Sequence, residues 1–176
     1  MAQEPHHSEV NDSERGGVNF ADIERSWVQG RLYPDFGWRA FDRFSPVNPM
    51  RVPLEESRVA FVTTAGAHLA DQPPFNLGTT GDPSFRAFAS NTPLDDLVLT
   101  HGGYNTRRTT EDKNAVLLLD HLRHAAATGV IGSLAATVYS FMGYVANTAP
   151  LMQESGPAVA RRLIDDQVDL VLLAPT

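Results

Sequence analysis

The chain has 176 residues, 42% hydrophobic and 20% charged, the make-up of one globular domain rather than of a disordered or fibrous polypeptide. Thirteen arginines and one lysine face 21 acidic residues, and the net charge of −7, with no basic patch, excludes a nucleic-acid backbone as an expected partner. There is no cysteine, so these residues alone build no disulfide, zinc–thiolate site, iron–sulfur cluster or thiol nucleophile.

Residues 1–17 are polar, acidic and end on two glycines, which predicts a disordered tail. They lack the basic start and apolar stretch of a signal peptide, so a cytoplasmic location is expected. From 18 to 57 runs an aromatic-rich arm with Phe20, Trp27, Tyr33, Phe36, Trp38, Phe41 and Phe44 between prolines, predicting a short helix over 22–29 and then irregular chain that packs on a core or another subunit.

An α/β domain is expected over 58–176. RVAFVTT at 58–64 is apolar and β-branched, closes on Ala65-Gly66, and predicts a buried strand. Five prolines and glycines between 70 and 83 predict a loop, followed by strands over 84–89 and 96–101. An apolar stripe at helical spacing predicts a helix over 115–128, opened by Asp112 and Asn114 as capping residues and stopped by Gly129. Residues 125–153 carry no formal charge, but their glycines, Pro150 and polar side chains argue for buried strand and loop rather than a membrane span. A half-exposed helix over 152–167 and a final buried strand over 168–174 complete the pattern. Strand, helix, strand predicts a three-layer sandwich with a mainly parallel sheet, Rossmann- or flavodoxin-like, whose ligands gather at the carboxyl ends of the strands.

Those ends carry Thr63, Thr64 and Gly66, then His68, then His101 to Tyr104, then Ala174 to Thr176. A glycine after a strand lets main-chain amides approach an anion, and threonine hydroxyls add donors, so 63–66 reads either as a carboxylate cradle or as turn chemistry. His68 and His101 stand where proton-transfer groups are found, or they bond loop backbone. No metal spacing such as HExxH occurs, and His121 and His124 read as helix-surface residues. Tyr139 and Ser140 read as core in need of hydrogen-bond partners. No G-x-G-x-x-G or P-loop points to a nucleotide cofactor.

The blocks RVAFVTTAGAHL at 58–69, DQPPF at 71–75, THGGYNT at 100–106, EDKNAV at 111–116, IGSLA at 131–135, YSFMGY at 139–144 and VDLVLLAPT at 168–176, in this order, resemble the selenoprotein B subunits of the glycine, sarcosine, betaine and D-proline reductases. The resemblance implies reductive cleavage of a carbon–nitrogen bond in a small amino acid or its N-methylated derivative. It implies a selenocysteine or cysteine just after the final strand, one position past Thr176, as well as other reductase subunits, one bearing a pyruvoyl group, and a thioredoxin-type reductant. An open reading frame that stops at an unrecoded selenocysteine codon would end there, so the product is expected to continue. By the same resemblance His101 is the expected proton donor to the leaving amine and His68 the second choice, with Thr63, Thr64, Gly66 and Tyr104 around the substrate. Asn105 stands where the family often has aspartate. Two other readings remain: a non-catalytic assembly or substrate-binding subunit, and a racemase-like enzyme, which would want the cysteine pair this chain lacks.

Overall fold

An unbroken apolar run suits a strand covered on both faces, and β1 (Arg58–Thr63) is buried at every residue after Arg58. It lies at the centre of a five-stranded sheet. Along one side β7 (Leu170–Ala174) pairs with it in parallel, from Val59 opposite Leu170 to Thr63 opposite Ala174. Along the other, β5 (Ser133–Leu134) and then β6 (Thr137–Phe141) pair in parallel, and β3 (Phe85–Ala89) adds to β6 antiparallel. The computed structural model describes residues 19–31, 34–37, 48–102 and 106–176.

Alternation along β1 sends Phe61 to one face and Val62 to the other. Phe61, with Val138 and Phe88, packs on Leu117 and Leu119 from α3 (Asn114–Leu117) and α4 (Leu119–Ala127). Val62, with Tyr139, packs on Val159 and Leu163 of α5 (Gly156–Asp165). The result is the expected layered α/β architecture with a mainly parallel sheet. Taken in chain order, the long parallel strands β1, β6 and β7 stand in space as second, first, third. That is the beginning of a doubly wound, flavodoxin-like sheet, with the crossovers on opposite faces.

Several expectations need correction. The strand over 84–89 is antiparallel to its neighbour, and the strand over 96–101 leaves the main sheet altogether. As β4 (Leu97–Leu99) it pairs antiparallel with β2 (Ala67–Leu69) in a two-stranded ribbon. His68 therefore sits within a strand rather than after one.

The helix expected over 115–128 is broken at Leu118, whose φ is +53°. Leu117 and Leu119 are both fully buried. In a continuous helix two residues so spaced point about 200° apart, so the left-handed residue between them lets both reach the core. Asn114 caps the second segment: its Oδ1 accepts the Asp120 N–H at 3.0 Å, and Asp112 Oδ1 accepts the Asn114 N–H at 3.0 Å. The helix over 152–167 begins with a π-helical turn at Leu151–Ser155. The uncharged stretch holds the end of α4, β5 and β6, and no helix among the described residues is long and apolar enough to cross a membrane.

The chain divides into two compact units, Met1–Val47 and Asn48–Thr176. In the first, α1 (Phe20–Arg31) extends the expected helix; Asn19 Oδ1 accepts the Asp22 N–H, and Phe20, Ile23 and Trp27 are exposed along it. The expected disordered tail, and the arm's Tyr33, Trp38, Phe41 and Phe44, lie outside the described residues. In the second unit, α2 (Thr106–Glu111) precedes α3.

Phe61 has no exposed surface at the middle of the central strand. Phe61→Ala is expected to cost about 3–5 kcal/mol in urea unfolding, because the cavity between β1 and the two leucines cannot collapse.

Candidate functional site

Beyond Thr63 the chain turns sharply and is tied on three sides. The Thr64 N–H donates to the Ala174 carbonyl at 3.2 Å, and its Oγ1 accepts the Thr176 N–H at 2.8 Å, clamping the ends of β1 and β7 together. The Gly66 N–H donates to the Phe141 carbonyl at 2.9 Å, and the Gly66 carbonyl accepts the Thr100 N–H at 2.9 Å. One glycine thus joins the end of β6 to the end of β4. Its φ is +67°, and a Cβ there would stand 2.1 Å from the Thr100 carbonyl oxygen, so no other residue fits.

This tie explains a correct expectation reached for the wrong reason. The residues after β4 join the other strand ends not as part of the parallel sheet but because the β2–β4 ribbon hangs from Gly66. The surface so assembled lies where the parallel strand order reverses, between β1 and β7, and sheets of this kind open a ligand crevice there.

His68 is buried in the ribbon, with both ring nitrogens engaged. Nδ1 lies 2.7 Å from the Leu69 carbonyl and so carries the proton, while Nε2, 2.9 Å from the Thr100 hydroxyl, accepts. Its evident work is to hold Thr100. Thr63 is 1% exposed; its Oγ1 accepts the Ala65 N–H and donates to the Val116 carbonyl at 3.4 Å, towards the helical layer. Ser140, read as core needing a partner, accepts the Ala67 N–H at 2.8 Å.

His101 differs. It is buried at the floor of the strand-end surface, and burial lowers its pKa below the ordinary 6.5, so the imidazole is neutral at pH 7. A Cβ built on Gly143 would stand 2.4 Å from His101 Nε2 and 2.8 Å from the Thr176 carbonyl oxygen. His101, Gly143 and Thr176 therefore meet at one point, with Thr64 bonded to the last of them. Tyr104 lies outside the described residues.

Sequence reasoning missed Gly143. The signal was present: a glycine just after a strand, in the block 139–144, as Gly66 follows β1. A second feature it missed is the loop over 76–84, which is stitched to the chain after β6 through the Ala146 N–H to the Thr80 carbonyl and a Gly81–Val145 bridge. Asp82 anchors that loop. Burial alone would raise its pKa, but the Ser84 hydroxyl, the N–H groups of Asn76 and Ser84, and the Arg86 charge outweigh burial and hold it below the usual range. No three His, Asp or Glu side chains gather as a metal site among the described residues. Gly102, Gly143 and Thr176 are exposed, so the surface is a shallow floor and not a closed cavity.

The fold and site define a class: a doubly wound α/β protein with a glycine-lined, histidine-bearing surface at its strand ends. The profile of glycine/sarcosine/betaine reductase selenoprotein B matches residues 28–176, and the chain belongs to that family. It is 36% identical over 125 residues to the D-proline reductase subunit gamma of Acetoanaerobium sticklandii, covering 71% of this chain and 51% of the relative. It is 27% identical over 167 residues to the sarcosine reductase complex component B subunit beta of Peptoclostridium acidaminophilum, covering 92% and 38%. It is 29% identical over 171 residues to the glycine reductase complex component B subunit gamma of Carboxydothermus hydrogenoformans, covering 93% and 38%. The chain thus spans about half or less of the length of these relatives. No solved structure matches it significantly.

Gly143→Ala is expected to push the His101 ring away from Thr176 and into water, moving its NMR titration midpoint up towards 6.5, the value free of burial. A second outcome follows from the lowered pKa. A depressed histidine favours the neutral folded state, so its stability contribution is complete above 6.5 and fades as the pH falls through the folded value. His101→Gln should flatten that part of the stability-versus-pH curve.

Proposed function

We propose that this chain forms part of a selenocysteine- or cysteine-dependent reductase that cleaves the carbon–nitrogen bond of a small amino acid or N-methylated derivative, of the glycine, sarcosine, betaine or D-proline type. The observation that carries the reading is the meeting of His101, Gly143 and Thr176 at the β1–β7 crevice of a chain in this family. A selenolate or thiolate there, from outside these 176 residues, would supply the nucleophile that displaces the amine, with a thioredoxin-type reductant restoring it and a pyruvoyl-bearing partner subunit aiding substrate binding. The surroundings suit such a neighbour: the missing side chain at Gly143 lets the His101 imidazole and the Thr176 carbonyl come together at the end of β7.

The chain's own residues then divide the work. Buried Gly66 holds the end of β6 and the loop after β4 together beneath the floor, exposed Gly102 leaves that floor open to a carboxylate, Thr64 fixes the end of β7, and Tyr104 is a proposed substrate contact. His68 steadies Thr100 next to His101. The neutral imidazole of His101 is poised to take up a proton when a carboxylate or selenolate settles beside it, because an adjacent anion raises a histidine pKa. Protonated, it donates to the departing amine.

A second reading has its own support. With no cysteine in the chain, it serves as an assembly or substrate-binding subunit without redox work of its own. Both are tested by titrating the purified chain with glycine, betaine and D-proline while following the His101 ring resonance, and by assaying thiol-dependent release of the amine. The reductase reading expects a raised His101 pKa with one of these ligands and no turnover by the chain alone. Turnover by the 176 residues would refute the external nucleophile; an unmoved His101 with all three ligands would remove the substrate site and leave the assembly role.

A further inference from the structure

The sequence of β7 and its surroundings disagree. LVLLA is an unbroken apolar run, the pattern of a strand covered on both faces, as β1 is. Yet Val171 is 36% exposed, Leu172 38% and Leu173 68%. The two leucines lie on opposite faces, Leu172 level with Phe61 and Leu173 level with Val62, so both faces of the strand are open and not just one. The outer edge is open as well. The Ala174 carbonyl accepts from Thr64, which turns the main chain of Ala174 towards β1 and, by strand alternation, directs the N–H and C=O groups of Val171 and Leu173 outward. Among the described residues β7 pairs with β1 alone.

A long apolar edge with unpaired main-chain groups is a template for another strand. The strand order says which kind. Parallel strands standing second, first, third are the beginning of the order 2-1-3-4-5, in which the next strand adds in parallel beside the third and its crossover helices cover the faces. We propose that β7 is an interface rather than an outer edge. Its occupant is a parallel strand with flanking helices drawn from the portion of the family polypeptide that this chain does not span, about half or more of each relative. Whether it arrives on the same chain or on a separate one, it pairs with Val171 and Leu173, covers Leu172 and Leu173, and raises a wall beside Thr176 at the crevice. The occupant rests on family membership and not on the reductase chemistry proposed above.

The test uses the 176-residue chain and, as probe, a purified polypeptide comprising the part of the A. sticklandii D-proline reductase subunit gamma that this chain does not match. Amide hydrogen exchange at Val171 and Leu173 is expected to be fast in the chain alone at every concentration and to slow at least tenfold when the probe is added. Leu173→Lys, a change at an exposed position, should leave the melting temperature within a degree or two and weaken probe binding at least tenfold.

Protection that appears with rising concentration of the chain alone, together with dimer formation by light scattering, would make a second copy the occupant and overturn the proposal. Protection already present in the isolated monomer, no protection with the probe, or equal binding by Leu173→Lys would overturn it too. Because strand protection and not turnover is measured, a chain that binds the probe but lacks ligand response at His101 would sink the reductase reading and leave the edge pairing intact.

Discussion

The strand-end surface depends on the double tie at Gly66, whose N–H holds the end of β6 and whose carbonyl holds the start of the loop after β4. Together with the Ala67 N–H bond to Ser140 Oγ it fixes the β2–β4 ribbon against the parallel sheet, and so sets His101 beside Thr176. The tie requires a left-handed residue with no side chain, because the Thr100 carbonyl occupies the space a Cβ would take. A single backbone requirement thus converts two separate sheets into one site.

The same economy governs the histidines. Two imidazoles are buried beside Thr100, His68 through its hydroxyl and His101 as the next residue in the chain, but their surroundings set different tasks. His68 has a carbonyl at one nitrogen and a hydroxyl at the other, a closed arrangement that fixes its tautomer. His101 lies against Gly143 and the Thr176 carbonyl, at a floor that opens upward to water, with a pKa lowered by burial. Its pKa rises when an anion is brought beside it, because a neighbouring negative charge favours the protonated imidazole.

Openness is also the theme of β7. The β1 core is closed by helices on both sides, whereas the strand that shares its full length has exposed leucines on both faces. The crevice at Thr64 and Thr176 borders this open strand, so the shallowness of the site and the exposure of β7 have a common origin in the side of the sheet left uncovered. Family relatives roughly two to three times as long as the matched region supply a natural source for the cover.

The sequence alone determined the α/β class, the central strand at 58–63, the last strand and its helix, and the family through its ordered blocks, since each depends on local apolar pattern and turn chemistry; the burial expected for that last strand was wrong, because its cover is not among these residues. It also put Thr64, Gly66 and His101 at strand ends that the structure brings together. What it could not determine was pairing. Local pattern does not distinguish parallel from antiparallel neighbours, so β3 and β4 were misassigned, and the break at Leu118 was invisible because only the core dictates that Leu117 and Leu119 both point inward. Gly143 and the closed environment of His68 were decided by tertiary structure for the same reason: a glycine's or a histidine's role depends on which atoms arrive beside it from strands and loops more than thirty residues away, and that arrival is fixed by the assembled sheet.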